Sequence, residues 1–342
     1  MAEQSGISWT DATFNPWIGC TKVGPGCDNC YAEALMDKRW QRVTWGTGRP
    51  RLATSERNWK LPLLWEKEHE AFALAHGRRR RVFCASLADV FDNEVDPAWR
   101  VELMRLITRT PHLDWMVLTK RIGNAAAMLE AACQGVDGVG WQRNPLANVW
   151  LGATVVNQEE ADRDIPKLLA TPARVRFLSI EPMLGPVNLQ YQLHVANTAK
   201  GWVKLPWFDS SDGRSAGGGA PKYIGPSVPD VDWVIVGGES GVKARPFHVD
   251  WARSIVKQCQ AAGVPVHVKQ LGAQPRGWCA ALAHVAPEDR EDVTCDYHEA
   301  HEQGQECQGR CAAMVAPAGG DPTEWPEDLR VQQWPALEGP KA

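Results

Sequence analysis

The sequence predicts an α/β protein built as a TIM-like (βα) barrel, partial or complete. Two observations carry that expectation. Short apolar segments rich in β-branched and aromatic residues recur at Val82–Ser86, Trp115–Thr119, Val149–Thr154, Val175–Ile180, Trp233–Val236 and Val266–Val268. They lack the polar alternation of a sheet with one wet face, so both faces should be covered. Between them lie stretches of helical period at Ala98–Arg109, Asn124–Ala132, Gln158–Leu169 and Trp251–Ala262, the last closed by Gly263 and Pro265. With a strand near Ala12–Trp17 and a helix near Tyr31–Gln41, the βα unit repeats about seven times, and a single rhythm of that kind favours a barrel over a doubly wound sheet.

Two segments break the rhythm. Residues 189–229 are polar and glycine-rich where a βα crossover should be, and read as an inserted loop. Residues 278–319 carry Cys279, Cys295, His298, His301, Cys307 and Cys311. The expected organisation is therefore a barrel over 1–277, a Cys/His-rich insertion over 278–319 and a tail over 320–342 that returns to the barrel. Cys295-x2-His298 and Cys307-x3-Cys311 form two chelating pairs of the kind tetrahedral zinc takes, with His301 and Cys279 in reserve. The bland alternative is a solvated loop whose Cys and His residues are incidental.

Composition narrows the class. A chain of 342 residues can bury most of its apolar surface, and a net charge of -4 neither requires nor excludes a nucleic-acid partner. Ten cysteines are too few for a disulfide scaffold, no apolar run reaches membrane-spanning length, and Met1 to Gly6 is polar with no apolar segment after it. The expectation is a soluble cytoplasmic protein with no membrane partner. Seventeen tryptophans, scattered from Trp9 to Trp334, read as packing residues.

The motif richest in chemistry is the cysteine loop. Cys20, Cys27 and Cys30 surround Gly24, Pro25 and Gly26, which let the backbone turn tightly. Three thiolates can fix three corners of a [4Fe–4S] cube and leave one iron open. A local zinc site would want a fourth ligand, and the nearest histidines in sequence are the distant His69 and His76. A rival from another class is a non-catalytic binding protein in which a distant donor closes a zinc or iron site, with Cys84 the residue to check.

In a barrel, functional groups collect where strands end. Those ends carry Ser86 and Asp89, Thr119-Lys120-Arg121, Thr154, Ser179 and Glu181, Gly237-Gly238-Glu239-Ser240-Gly241, and Lys269-Gln270. Gly237 and Gly238 offer bare backbone to a cofactor, and Glu239, Glu181 and Ser179 offer hydrogen-bonding partners. Lys120, Arg121, Arg245 and Lys269 suit an anionic portion of a ligand, while Ser86 or Thr154 would serve equally as helix caps. The run Arg78–Arg81 precedes a strand, at the opposite end, and reads as a solvated surface run.

Together, Asn15-Pro16-Trp17 leading into the three cysteines and Tyr31-Ala32-Glu33, then Leu118–Arg121, Leu178–Pro182, Gly237–Gly241 with Ala244-Arg245-Pro246, Val268–Gln270 and Glu324–Arg330 resemble the phage gene product thirty-seven/sixty-eight family. Those three-cysteine proteins are similar to radical S-adenosylmethionine enzymes. The resemblance implies a [4Fe–4S] cluster on Cys20, Cys27 and Cys30, with S-adenosylmethionine held near Gly237, Gly238 and Glu239, or near Ser179 and Glu181. It further implies a reducing electron donor, and hydrogen abstraction from an unidentified substrate for which nucleic acid or a nucleotide is the class suggested.

Overall fold

The computed structural model of the chain describes residues 5–189, 231–277 and 318–336. Its centre is a seven-stranded, wholly parallel sheet. The strands are β1 (Ala12–Phe14), β4 (Arg80–Cys84), β5 (Leu113–Thr119), β6 (Val149–Thr154), β7 (Val175–Ile180), β8 (Trp233–Gly237) and β10 (Val266–Gln270), in that spatial order. Between β1 and β4, the short β2 (Trp17–Ile18) and β3 (Leu52–Ala53) pair antiparallel to each other. The same span holds α1 (Tyr31–Glu33), which runs into a π-helical turn over Ala34–Arg39, then α2 (Glu56–Lys67) and α3 (His69–His76). The remaining helices are α4 (Pro97–Thr108), α5 (Ile122–Asp137), α6 (Gln158–Ala170) and α7 (Val249–Ala262), and β9 (Phe247–His248) pairs with β11 (Pro275–Arg276). Among the described residues no helix is long and apolar enough to cross a membrane.

Side chains alternate across the strands and so make two cores. Val82, Val117, Leu151, Leu178, Val236 and Val268 face the helices and pack with Leu103, Leu129, Ile165 and Ile255. The inner face instead carries Phe83, Met116, Trp150, Phe177, Trp233 and Ile235, with Trp9 from the N-terminal segment. Gly152 lies among them because a Cβ there would come within 2.3 Å of the Phe177 ring. The aromatic ring fills the space that a side chain on β6 would have taken.

The sheet curls but does not close: β1 and β10 stand at its two edges, which makes an open half-barrel. A complete barrel, one form of the expected fold, is thus corrected. Ser8 in the N-terminal segment hydrogen-bonds His267 Nε2 of β10 at 2.9 Å, while the tail lies along the outer edge of β10. There Val268 N donates to Val331 O at 2.8 Å and Gln333 N to Val266 O at 3.0 Å. The tail thereby satisfies backbone groups that the open edge of β10 would leave unpaired.

Two expectations change. The helices α2 and α3 interrupt the first crossover, where Pro62 disguises a helix whose Asn58, Pro62 and Trp65 face inward at helical spacing. Arg78–Arg81 does lie at the strand-beginning end, but it is no solvated run. Arg78 is bidentate to Asp11 at 2.6 and 2.8 Å, Arg79 lies 3.8 Å from Asp114, and Arg80 lies over the Phe72 ring at 4.5 Å. Arg81 is buried over the Trp150 and Trp334 rings at 5.8 and 5.1 Å. The charges of this run are consumed in holding the floor of the half-barrel together.

Candidate functional site

A cavity of about 730 Å³ opens at the end of the half-barrel where the strands finish. The cysteine loop forms one wall. Pro25–Cys27 is a single 3-10 turn, and Cys30 precedes α1. The glycines around it are required by close approach rather than by flexibility: a Cβ on Gly24 would lie 2.7 Å from Glu160 Oε1, and one on Gly26 would lie 2.8 Å from Val156 Cγ1. The loop is therefore pressed against the turn between β6 and α6.

Buried charge fixes that wall from below. Arg51 bonds Asp92 through Nε at 2.9 Å and through Nη2 at 2.7 Å, and also donates to Thr21 Oγ1 at 2.7 Å. Arg121 donates to Cys20 Sγ at 3.2 Å and to Thr21 O at 2.6 Å, with Asp89 at 3.5 Å. Asp89 itself accepts from Thr119 Oγ1 at 2.7 Å and from Lys120 N at 3.0 Å. Burial, then the Asp89 charge, pushes the Cys20 thiol up to about 12 against the pull of Arg121.

A second clamp joins the cysteine loop to the glycine run after β8. Glu239 accepts from Asn29 Nδ2 at 2.9 Å and from Arg245 through Nη2 at 2.7 Å, Nε at 3.0 Å and backbone N at 2.9 Å. Arg245 reaches on to Asp28 at 3.2 Å. Although burial opposes ionisation, these bonds hold the Glu239 carboxyl below its ordinary range. With its oxygens so occupied, Glu239 acts mainly as a tie between loops.

The cavity walls include Cys20, Cys27, Cys30, Lys120, Arg121, Ser179, Glu181, Gly238, Glu239 and Lys269. Gly237 and Arg245 are not wall residues. Gly238 sits tightly on the chain after β10, since a Cβ there would lie 2.5 Å from Leu271 O. Lys269 and Glu181 form a short ion pair inside the cavity. Other groups of the walls have no such partner, the buried Trp9 Nε1 among them. Thr154 is buried and its Oγ1 has no hydrogen bond, and the Lys120 ammonium has neither ion pair nor hydrogen bond among the described residues. Cys84, the proposed fourth donor, is fully buried in the outer core and is not a cavity wall residue.

A different set of donors converges at the other end of the half-barrel. Glu66, His69 and His112 each place one ligand atom within 4.8 Å of the others, the only such group of three among the described residues. His69 Nδ1 lies 2.7 Å from Glu66 O and His112 Nδ1 lies 2.5 Å from Glu66 Oε1, so the uncommitted ring nitrogens are the two Nε2 atoms. The rings stack at 3.9 Å. Glu66-x2-His69 near the end of a helix was the available sequence signal, but His112 is distant in the chain and enters only through folding. The zinc expectation for Cys295, His298, Cys307 and Cys311, with Cys279 and His301, lies outside the described residues.

A family model described as a protein of unknown function, DUF5131, matches residues 4–315. No curated protein and no solved structure matches the chain. These findings correct the resemblance drawn from the motifs: the family shown is DUF5131, in place of the phage gene product thirty-seven/sixty-eight family. The expectations built on that resemblance, a radical enzyme with a [4Fe–4S] cluster and S-adenosylmethionine, are corrected with it. The converging metal-ligating group contains no cysteine, and Cys20 Sγ accepts a hydrogen bond from Arg121 at 3.2 Å.

Proposed function

The chain belongs to the DUF5131 family, and on that premise we propose that it is a metal-stabilised binding protein whose strand-end cavity takes a nucleotide-sized anion. One observation carries the cavity assignment: Lys120 keeps an unpaired ammonium where the other lining cations, Lys22, Arg121 and Lys269, are paired with Glu33, Asp89 and Glu181, and the buried Thr154 hydroxyl beside it has no hydrogen bond. The volume, about 730 Å³, is that of a small-molecule site. Trp9, Phe83 and Leu118 supply an apolar floor for a ring, Lys120 an ammonium for the anionic group, and Thr154 a hydroxyl beside Ser179. Cys27 and Cys30 add thiols to the rim.

In this reading Glu66, His69 and His112 hold a divalent ion that joins α2 and α3 to the loop before β5. Imidazole and carboxylate ligands suit zinc, and binding it would add stability by mass action. An ion held there would lie at the opposite end of the half-barrel from the cavity, and its role would be structural. Six described cysteines are free, in keeping with a reducing cytoplasmic setting.

Two titrations test the parts separately. Zinc should raise the melting temperature of the protein but not of a His69→Ala/His112→Ala variant; equal shifts in both would remove the metal assignment. Calorimetry with adenosine monophosphate should show binding that adenosine lacks, and Lys120→Ala should weaken it about tenfold, as loss of one charge-assisted contact does. Equal affinity for adenosine and its monophosphate would remove the anion site.

A further inference from the structure

We propose that the loop over 38–51, beside the cavity mouth, is a binding platform for single-stranded nucleic acid. The segment reads Lys-Arg-Trp-Gln-Arg-Val-Thr-Trp-Gly-Thr-Gly-Arg-Pro-Arg, with five positive charges and no carboxylate. Arg51 is spent on Asp92, and Lys38 pairs with Asp37 at 3.4 Å and Glu33 at 3.7 Å. That leaves Arg39, Arg42 and Arg49. All three are exposed, and none has an ion pair or side-chain hydrogen bond among the described residues. Trp40, in the same segment, is 51% exposed, a rare state for so large an apolar surface.

The loop also makes a shape. Arg42, Thr44, Arg49 and Pro50 line a groove of about 620 Å³. One carboxylate, Asp37, also lines the groove and accepts from Trp45 N at 2.8 Å, while Glu94 accepts from Gly48 N at 2.9 Å and pairs with Arg51 at 3.3 Å. Its far side joins the mouth, because Gly46 N donates to Cys20 O at 3.0 Å and Trp45 lines the larger cavity. Unpaired guanidiniums match a phosphate backbone, and an exposed indole gives an unstacked base a face. Duplex DNA offers no free base for that indole, which favours a single strand. The net charge of -4 makes this a local patch rather than a general polyanion field.

The platform stands independently of the cavity ligand, and its test does not involve the cavity. Fluorescence anisotropy of a labelled fifteen-nucleotide oligothymidine would be followed against full-length protein at several salt concentrations. Arg39→Gln/Arg42→Gln/Arg49→Gln should weaken binding at least tenfold and flatten the slope of log affinity against log salt by about 2, as expected for three lost phosphate contacts. Trp40→Ala should weaken binding about fivefold or more with the slope unchanged. Because these side chains are exposed, circular dichroism should show unaltered folds. Absence of binding by the native protein, native-like binding by the triple variant, or equal competition by polyglutamate, the mark of an acidic polypeptide partner, would each overturn the proposal.

Discussion

The two ends of the half-barrel use charge in opposite ways. At the floor, four consecutive arginines are absorbed by Asp11, Asp114 and aromatic rings, and the space between strands is filled with Trp150, Phe177 and Trp233. At the mouth, charged groups surround open volume. Some are locked, as Arg51 is by Asp92 and Glu239 by Arg245, yet Lys120 is left uncommitted. An arginine-rich run is therefore poor evidence of a binding surface until its partners are known. The acid-free loop over 38–51 has fewer consecutive basic residues but more unpaired ones.

The largest effect should come from breaking a locked charge at the mouth. Arg51→Met removes the nearer cationic partner of Asp92, which is 2% exposed and keeps Arg121 at 3.8 Å, and should cost about 3 kcal/mol or more in urea denaturation, the low end of the penalty for breaking a buried ion pair. Arg51→Met/Asp92→Asn should recover much of it. A single-variant loss below about 1 kcal/mol would show that the network is not what fixes the cysteine loop.

At the floor the corresponding probe is pH. His267 is fully buried, and burial, then the charges of Arg81 and Lys269, lowers its ionisation to about 4 from an ordinary 6.5. Between those values the unfolded chain binds a proton that the native chain refuses. Stability is then complete above pH 6.5 and declines on acidification through this window, by up to about 3 kcal/mol. Denaturation at pH 7 and pH 5 measures the slope before carboxylates contribute strongly. His267→Asn should flatten it; an equal slope in both proteins would place the acid sensitivity elsewhere.

Packing at the floor should give the next smaller effect. Gly152→Ala drives a methyl group into the Phe177 ring and should cost about 1–3 kcal/mol. Gly152→Ala/Phe177→Leu, which shortens the opposing side chain, should be less destabilised than the single variant. Independent additive losses would mean that the two positions do not share one volume.

How much of this was readable beforehand varies with range. β6 and β7 match their expected spans because continuous apolar runs in buried parallel strands are local signals. The open edge between β1 and β10 was not readable, since closure depends on curl and on the number of strands rather than on any one segment. The residues around the cavity were legible as a set of strand ends, but their pairing was not: Glu239 accepts from Asn29 and Arg245, and Arg78–Arg81 looked solvated and is consumed. Pairing is decided by residues far away in sequence, such as Asn29 with Glu239 or Asp11 with Arg78. The same limit hid His112 from Glu66.

The smallest expected effect on stability is the most informative about the mouth. Lys120 has no ion pair to lose, and its contribution to packing is its stem, whose Cε would lie 3.3 Å from a Cβ on Gly26. Lys120→Met keeps that stem and removes only the ammonium. Its unfolding free energy should lie within about 0.5 kcal/mol of the native value, as for substitutions that break no buried contact. Such neutrality, alongside weaker anion binding, would separate binding charge from structural charge within a single wall, where Arg121 is one residue away and ties Cys20 and Thr21. A loss above about 1.5 kcal/mol would assign Lys120 to the locked network and leave the cavity without its anionic anchor.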